Sequence, residues 1–447
     1  MSPLAEILLR QGKRVSGSDE KATSVTAYLE SLGLEFHEGH AAGHVGAVDV
    51  VVRSSAVRPS NPEIQEAERR DIPVILRGAL LAELMAERRG VAVAGAHGKT
   101  TTTAMLGLVL DRAGLDPTVV IGGRFAAFGS HARVGRSALL VAEADESDRS
   151  FLWLRPYLAI VTNIDREHLE SYGTFEELTR AFVRFAESVP VEGAAMLCVD
   201  DPHLMAMAET LAAPVVSYGI DNRQATIGAT DITLAGFGSR AMVVRRGADG
   251  RETPLGMLTL HVPGRHNVLN ALAVIAAASH LGVTFAAVAA ALAEFRGAER
   301  RFERKGEANG RIVVDDYGHH PTEIAAVLKA ARATGARRIF CVFQPHRYSR
   351  TAGLLQDFGP ALGLADEVLL TDIYPAGEDP VPGVTIDALA IEVRKSVSGP
   401  VHVVPRLEDV PAVVAHASRP GDLVITLGAG SIGTVGDRIL AEVRACP

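Results

Sequence analysis

The sequence predicts an α/β protein of about three domains, each a parallel sheet covered by helices. Three observations carry this reading. Apolar, β-branched runs of strand length alternate with segments of helical spacing along most of the chain, the pattern of strands joined by crossover helices. At residues 91–105 the run "VAVAGAHGKTTTTAM" passes from a buried-strand composition, through two glycines and a lysine, into a helical pattern. A length of 447 residues exceeds one ordinary core, and roughly 150 residues per domain gives about three.

Residues 1–88 read as short βα units. They hold a helix over 4–9, a strand ending near Val15, a helix over 24–32, a buried strand over 48–52, and a strand and helix in "VILRGALLAELMAERRG". Residues 89–295 form a second block, with strands at 91–94, 138–143, 158–162, 196–199 and 215–218 and helical segments between them. Its stretch "GATDITLAGFGSRAMVVRRGADGRETPLGMLTLHVPG" alternates and turns like antiparallel hairpins. The Ala-rich segment 271–293 is broken by Ser279, His280 and Gly282 and reads as two packed helices. The third block, 296–447, opens on the charged "FRGAERRFERKGEANG", a hinge or linker by composition. Strands then recur in "RIVVDD", "RRIFCVF", "DEVLLTD", "VHVVP" and "DLVITLG".

Composition excludes several classes. Hydrophobic residues make up 47% and charged residues 22%, as in soluble globular proteins. A formal charge of −8 gives no support to a nucleic-acid or anionic-membrane partner, so any phosphate binding must be local. Cys198, Cys341 and Cys446 are scattered and odd in number, which favours a reducing cytoplasm over a disulfide framework. The N-terminus lacks signal-peptide architecture, and no apolar run reaches the ~18 residues of a membrane span.

Strand, Gly-rich turn, Lys-Thr and helix form the layout of a phosphate cradle, in which backbone N–H groups and a helix N-terminus face an anion. The general pattern wants a glycine where this chain has Val93, so the match is partial. Lys99 is the only lysine between Lys21 and Lys305 in a chain that otherwise uses arginine. A compact ammonium kept there suits a role that a planar guanidinium fills poorly. A second glycine pattern, Gly428, Gly430 and Gly433, has dinucleotide-fingerprint spacing. The chain lacks the following strand and acidic residue that such a site needs, so it reads as a Gly-rich loop at a sheet edge.

Polar residues gather where strands end, which is where open α/β sheets bind ligands. "LLVAEADESDRSF" supplies Glu143, Asp145, Glu146 and Asp148, and "LAIVTNIDREHLESY" supplies Thr162, Asn163, Asp165, Glu167 and His168. Mg²⁺ takes a few oxygen ligands plus phosphate oxygens, and Thr100 with Glu143 and a group from the next strand could surround such ions. Asp145 and Asp148 suit the plainer role of solvated or helix-capping carboxylates. "HVPGRHNVLNALAV" offers Asn267 as an N-cap and Asn270 as an amide for a nucleotide. "RIVVDDYGHHPTEI" and "FCVFQPHRYSRT" end two more strands, and Arg347 with Arg350 suits a carboxylate or phosphate clamp. Three such clusters ending three neighbouring strands argue against surface solvation as the role of all of them.

Together the motifs resemble the Mur ligases over nearly the whole chain: "VSGSD", "SSAV…NPE", "GAHGKTTTTAM", "AEADESDRSFL", "AIVTNIDREHLESY", "PGRHNVLNALA", "RRFE", "DDYGHHPTEI" and "FQPHRYSRT". The last two resemble the pair that marks the alanine-adding branch of the family. The lack of any lysine from 100 to 304 agrees, because later ligases of the pathway carry a carbamylated lysine there.

The resemblance implies Rossmann-like N- and C-terminal domains around a central P-loop ATPase domain, with ATP, Mg²⁺, UDP-N-acetylmuramate and L-alanine as ligands of a cytoplasmic monomer or weak dimer. It implies that Gly95, Ala96, His97, Gly98, Lys99, Thr100 and Thr101 hold the β/γ-phosphates. Thr100 and Glu143 would bind Mg²⁺, and His168 a second divalent ion. Asn270, Arg301 and Asp316 would engage the nucleotide, and His319, Arg347 and Arg350 would orient the alanine. Ser18, Asp19, Ser54 and Ser55 would meet the UDP-sugar. The family opens with a strand and a loop of the type G-I-G-G-I-G-M-S, whereas Met1-Ser2 here falls where that loop ends. Weakened UDP-sugar binding is the expectation that follows. Within the superfamily the alternatives are a murein-peptide-recycling or folate-polyglutamylating ligase. Outside it stand a non-catalytic ATP-binding remnant and a dehydrogenase using "GAGSIG".

Overall fold

Val91, Ala92, Val93 and Ala94 are completely buried, as a parallel strand with neighbours on both edges and cover on both faces must be. The computed structural model describes residues 1–447 apart from Ala126, Ala248, Cys446 and Pro447. It divides into two units, one of Met1–Thr230, Met242–Gly256 and Leu269–Leu292, the other of Asp231–Ala241, Met257–Val268 and Ala293–Pro447.

The first unit begins with two small parallel pairs, β1 (Ser16–Asp19) with β2 (Glu35–Glu38) and β3 (Val51–Arg53) with β4 (Val74–Leu76). Then come β5 (Arg89–Ala94), β6 (Thr118–Phe125), β7 (Ser130–Arg133), β8 (Leu139–Glu143), β9 (Leu158–Val161), β10 (Ala194–Cys198) and β11 (Val215–Gly219). Three longer strands, β12 (Ile227–Ala235), β13 (Gly238–Arg246) and β14 (Glu252–Leu260), have residues assigned to each of the two units. The sheet order is β14-β13-β12-β11-β10-β9-β5-β8-β6-β7. Because β9, β5 and β8 are adjacent and parallel, the loops at their carboxyl ends emerge side by side. That adjacency positions the site.

The second unit carries β15 (Glu303–Ala308), β16 (Arg311–Asp316), β17 (Arg338–Phe343), β18 (Glu367–Leu370), β19 (Val401–Val403) and β20 (Asp422–Leu427). Their order is β15-β16-β20-β17-β18-β19, parallel except for β15, which runs antiparallel at the edge. Ile339, Cys341 and Phe343 enter one core and Phe340 and Val342 the other. This alternation sends successive side chains to opposite faces of a doubly covered sheet.

Several expectations need correction. The strand near Val15 lies just after it, at β1, and the strand expected over 48–52 is the half-buried β3. The expected linker contains β15, with Phe302 buried in the core and both Arg300 and Phe302 at positive φ. Apolar burial of Phe302 overrides the charged composition around it. β6 and β7 were not foreseen, because two glycines interrupt "TVVIGGRF". β16 and β17 are not neighbours, since β20 lies between them. Asn267 does not cap its helix; it sits in the first turn of Arg265–His280 and donates to Pro263 O at 2.7 Å. The Ala-rich segment does form two helices, Arg265–His280 and Phe285–Leu292. Cys198 and Cys341 are buried free thiols, and Cys446 lies outside the described residues. No helix among the described residues is long and apolar enough to cross a membrane.

Candidate active site

The phosphate loop follows from two backbone requirements. Gly95 and Gly98 have φ of +130° and +85°, values that glycine adopts without a Cβ penalty. A Cβ on Gly98 would lie 2.7 Å from Asn270 Oδ1, and one on Gly95 would strike the Thr162 hydroxyl. Gly98 is the N-cap of the helix Lys99–Arg112, with no side-chain cap and no acidic residue in the first turn. The N–H groups of Lys99, Thr100 and Thr101 therefore have no intrahelical acceptor, and the positive helix end is left for an anion. Two expected cradle groups are otherwise engaged. Ala96 N donates to Asn163 O at 3.2 Å and His97 N to Asn163 Oδ1 at 2.9 Å. They fix the loop's shape and leave the helix-start N–H groups as the ones an anion could take.

Lys99 Nζ donates to Glu146 Oε1 at 2.7 Å, Gly95 O at 2.6 Å and Ala96 O at 3.2 Å. Burial alone would lower its pKa, but Glu146, with Glu167 and Asp145, more than reverses this and holds the ammonium above the ordinary lysine value. Glu146 is 2% exposed, and burial pushes its carboxyl up to about 7 against the pull of Lys99.

The metal-ligand expectations divide into two groups. Thr100 Oγ1 donates to Glu143 Oε2 at 3.3 Å, and Gly122 N donates to Glu143 Oε1 at 2.7 Å. The structure brings this pair together beside the helix start. His168, at φ +56°, joins a different set: its Nε2 lies 4.0 Å from Glu146 Oε1 and 3.8 Å from Glu167 Oε2. Glu146, Glu167 and His168 each offer a ligand atom, all within 4.8 Å of one another. Hard oxygen and imidazole donors at such spacing fit a divalent cation. Sequence reasoning noticed both glutamates at strand ends but did not assign them. The signal that could have found them is their place on the adjacent strand-end loops of β8 and β9. Asp145 accepts from Ser147 N and Asp148 from Ser150 N; these are local turn contacts and not helix caps, since the N-cap of the short helix Ser150–Trp153 is Arg149, without a side-chain cap.

At the carboxyl edge of the second unit, Asp316 is 5% exposed and accepts from Phe302 N and Gly318 N, both at 2.7 Å. Burial pushes its carboxyl up to about 6, although Arg301 and these N–H groups pull it down. Oδ2 thus ties Asp316 to the segment that carries Arg301, and Oδ1 closes its own strand-end loop. Arg301 lies over the Tyr317 ring at 5.1 Å and 3.8 Å from Glu323 Oε1. His319 Nδ1 is 3.1 Å from Tyr317 O, and its ring meets that of His346 at 5.4 Å. His346 in turn stacks on Tyr374 at 5.6 Å and lies 3.1 Å from Arg350 Nη1. Burial, then His319, Arg350 and Arg347, lower the His346 pKa to about 3, so this imidazole is neutral. Arg347, at φ +70°, lies 3.9 Å from Glu378 Oε1. His319, Arg347 and Arg350 thus cluster as expected. His346 was noted at this strand end without a role, and Tyr374 and Glu378 are members that the sequence did not single out.

Of the residues expected to meet a UDP-sugar, Ser18 donates to Glu63 Oε2 at 2.7 Å and lies 3.0 Å from His40 Nδ1. Asp19 Oδ1 accepts from Glu20 N at 2.8 Å. Ser54 O accepts from Val57 N at 3.2 Å, closing a turn in which Ser55 is exposed.

The chain is similar to known proteins over nearly its whole length. Residues 1–89 match the catalytic domain of the Mur ligase family, 93–278 the Mur ligase middle domain, and 300–430 the Mur ligase glutamate ligase domain. The chain is 49% identical to a UDP-N-acetylmuramate–L-alanine ligase of an Anaeromyxobacter species, over 100% of this chain and 96% of that one. The solved UDP-N-acetylmuramate–alanine ligase MurC of Thermotoga maritima is 30% identical at a TM-score of 0.84, covering 100% and 97%. A murein peptide ligase of Psychrobacter arcticus is 25% identical at a TM-score of 0.73, covering 99% and 96%.

Proposed function

We propose that this chain, which belongs to the Mur ligase family, uses ATP to join L-alanine to the carboxylate of UDP-N-acetylmuramate. The step belongs to peptidoglycan synthesis, in the cytoplasm. The reading divides the chain into domains at 1–88, 89–295 and 296–447 and takes it to act as a monomer or weak dimer. The observation that carries it is the Lys99 loop: an uncapped helix start, a compact ammonium, and two sets of hard ligands on the flanking loops.

In this mechanism a muramoyl carboxylate oxygen attacks the γ-phosphorus and ADP leaves, giving an acyl phosphate. The alanine amine then attacks the carbonyl carbon, and the tetrahedral adduct collapses with loss of phosphate and a proton. Phosphoryl transfer is mostly positioning and charge neutralisation. Lys99 and the N–H groups at the helix start take the β/γ-phosphates. Thr100 and Glu143 would hold one Mg²⁺ and His168, with Glu146 and Glu167, a second; such ions neutralise charge on the phosphates. Asn270, Arg301 and Asp316 engage the nucleotide. Arg347 and Arg350 pair the alanine carboxylate, with His319 orienting the amine. Ser18, Asp19, Ser54 and Ser55 take the UDP-sugar.

The test is product analysis. Phosphate release should require ATP, UDP-N-acetylmuramate and L-alanine together, and the product should have the mass of the alanine adduct. Turnover with a tripeptide but not with alanine would point instead to a murein peptide ligase. Turnover with glutamate on a folate would point to a polyglutamylating enzyme.

A further inference from the structure

The Lys99 ammonium has three donors, and all are used: one on Glu146 and two on carbonyls of its own loop. A polyphosphate that needs this cation must take it from Glu146. That carboxylate is 2% exposed, and its second oxygen, Oε2, has no hydrogen-bond partner among the described residues. Abandoning so buried a carboxylate is unfavourable unless another positive charge replaces the ammonium. The replacement has a place to sit. Glu146 Oε1 lies 4.0 Å from His168 Nε2, which is 3.8 Å from Glu167 Oε2, gaps that an ion with ligands at about 2.1 Å can bridge.

Resting on the ligase reading's nucleotide site, we infer that Glu146 is a toggle that couples Lys99 to the divalent ion of the His168 set. Without the ion, Glu146 keeps Lys99 folded onto its own loop. With the ion bound to Glu146, Glu167 and His168, the ammonium is released to the phosphates. Glu146 is therefore a positioning residue for Lys99, and the coupling works in both directions because linkage is reciprocal.

Calorimetric titration of ADP at pH 8, in EDTA and in Mg²⁺, tests this in the wild-type chain and in Glu146→Gln. Removing the competing charge should tighten ADP binding in EDTA by about tenfold, and the extra affinity that Mg²⁺ confers should shrink. A purely structural role for Glu146 would only weaken binding. Mn²⁺ titration without nucleotide, followed by electron paramagnetic resonance, supplies the converse. Lys99→Ala should tighten Mn²⁺ binding, because Glu146 loses its rival cation, and Glu146→Gln should weaken it. Should Glu146→Gln fail to fold, the Lys99→Ala result decides alone, and no tightening there overturns the toggle. Wild-type chain that binds Mg-ADP, with Mg-free affinity unchanged or weaker in Glu146→Gln, would refute the toggle and spare the ligase reading. Wild-type chain that binds no Mg-ADP would end both.

Discussion

Two glycine-bearing loops leave strand ends in this chain, and they leave different backbone groups open to a ligand. After β5, Gly95 and Gly98 bend the backbone so that a helix start stays uncapped beside Lys99. After β20, Gly428, Gly430 and Gly433 make room for the protein's own side chains. A Cβ on Gly430 would lie 2.7 Å from Gln344 Oε1, and one on Gly433 would strike the Arg300 guanidinium. Gln344 Oε1 accepts from Ile432 N at 2.9 Å, which takes an amide that a phosphate would otherwise use. Arg300 reaches Gly428 O and Gly430 O while its Nε holds Asp315 at 2.8 Å. Glycine spacing alone does not separate a phosphate cradle from a packed turn. What fills the space beside it does.

The largest effect should come from Lys99→Ala. Loss of a charge-stabilising group commonly costs about 3–4 kcal/mol of transition-state stabilisation, so ADP formation should fall several-hundred-fold or more. The fold should survive, because the Glu146 carboxyl, already pushed up to about 7, can take a proton when its partner is gone. Lys99→Arg should also be poor. Wild-type turnover in either variant would reduce this loop to the status of the other.

One substitution made in both loops separates their roles. Gly98→Ala forces a side chain onto φ +85° and against Asn270. Gly433→Ala displaces Arg300 from Asp315, which is 1% exposed. Each should lose about 1–3 kcal/mol of stability in denaturant unfolding. Steady-state kinetics should then differ, with ATP saturation impaired only in Gly98→Ala.

Arg347→Ala and Arg350→Ala act on the far side of the Gly428 loop, at the end of β17. Each should raise the KM for L-alanine by about tenfold or more and leave ATP affinity near normal, as the loss of uniform binding does. If ATP binding collapsed while the alanine KM held, the clamp would belong to the nucleotide.

The smallest effect is a pH dependence at Asp316, whose carbonyl accepts from Gly428 N at 3.2 Å. Its folded-state pKa of about 6 lies above the ordinary 3.8, so the folded chain keeps the proton longer than the unfolded chain. The resulting stability is complete below pH 4 and is lost as pH rises through about 6. Asp316→Asn carries a fixed penalty, since its NH₂ must face one of the two N–H donors. The gap between wild type and variant should therefore narrow by about 1–2 kcal/mol between pH 4 and pH 7. Denaturation midpoints at both values measure it, and a constant gap would contradict the burial argument.

How much of this was legible in the sequence depended on burial. β5, β8, β9, β17 and β20 are buried along nearly their whole length, so apolar runs announced them and the polar residues at their ends. β1 and β3 are short and half-exposed, and their positions were read one or more residues away. Glu146 escaped assignment because its role depends on Lys99, 47 residues earlier. Glu378 escaped for the same reason, since it meets Ser349 and Arg347 only through the fold. The insertion of β20 between β16 and β17 could not be read from strand order along the chain. It explains why the last glycine loop lies between the loops that follow β16 and β17.

Calorimetric titration of Mg-ADP into the wild-type chain, Lys99→Ala and Gly433→Ala decides which loop holds the nucleotide. The account requires a single site in the wild type, lost or weakened at least about a hundredfold in Lys99→Ala, in line with the loss of close charge pairing, and unchanged in Gly433→Ala. Binding that survives in Lys99→Ala and disappears in Gly433→Ala would contradict it.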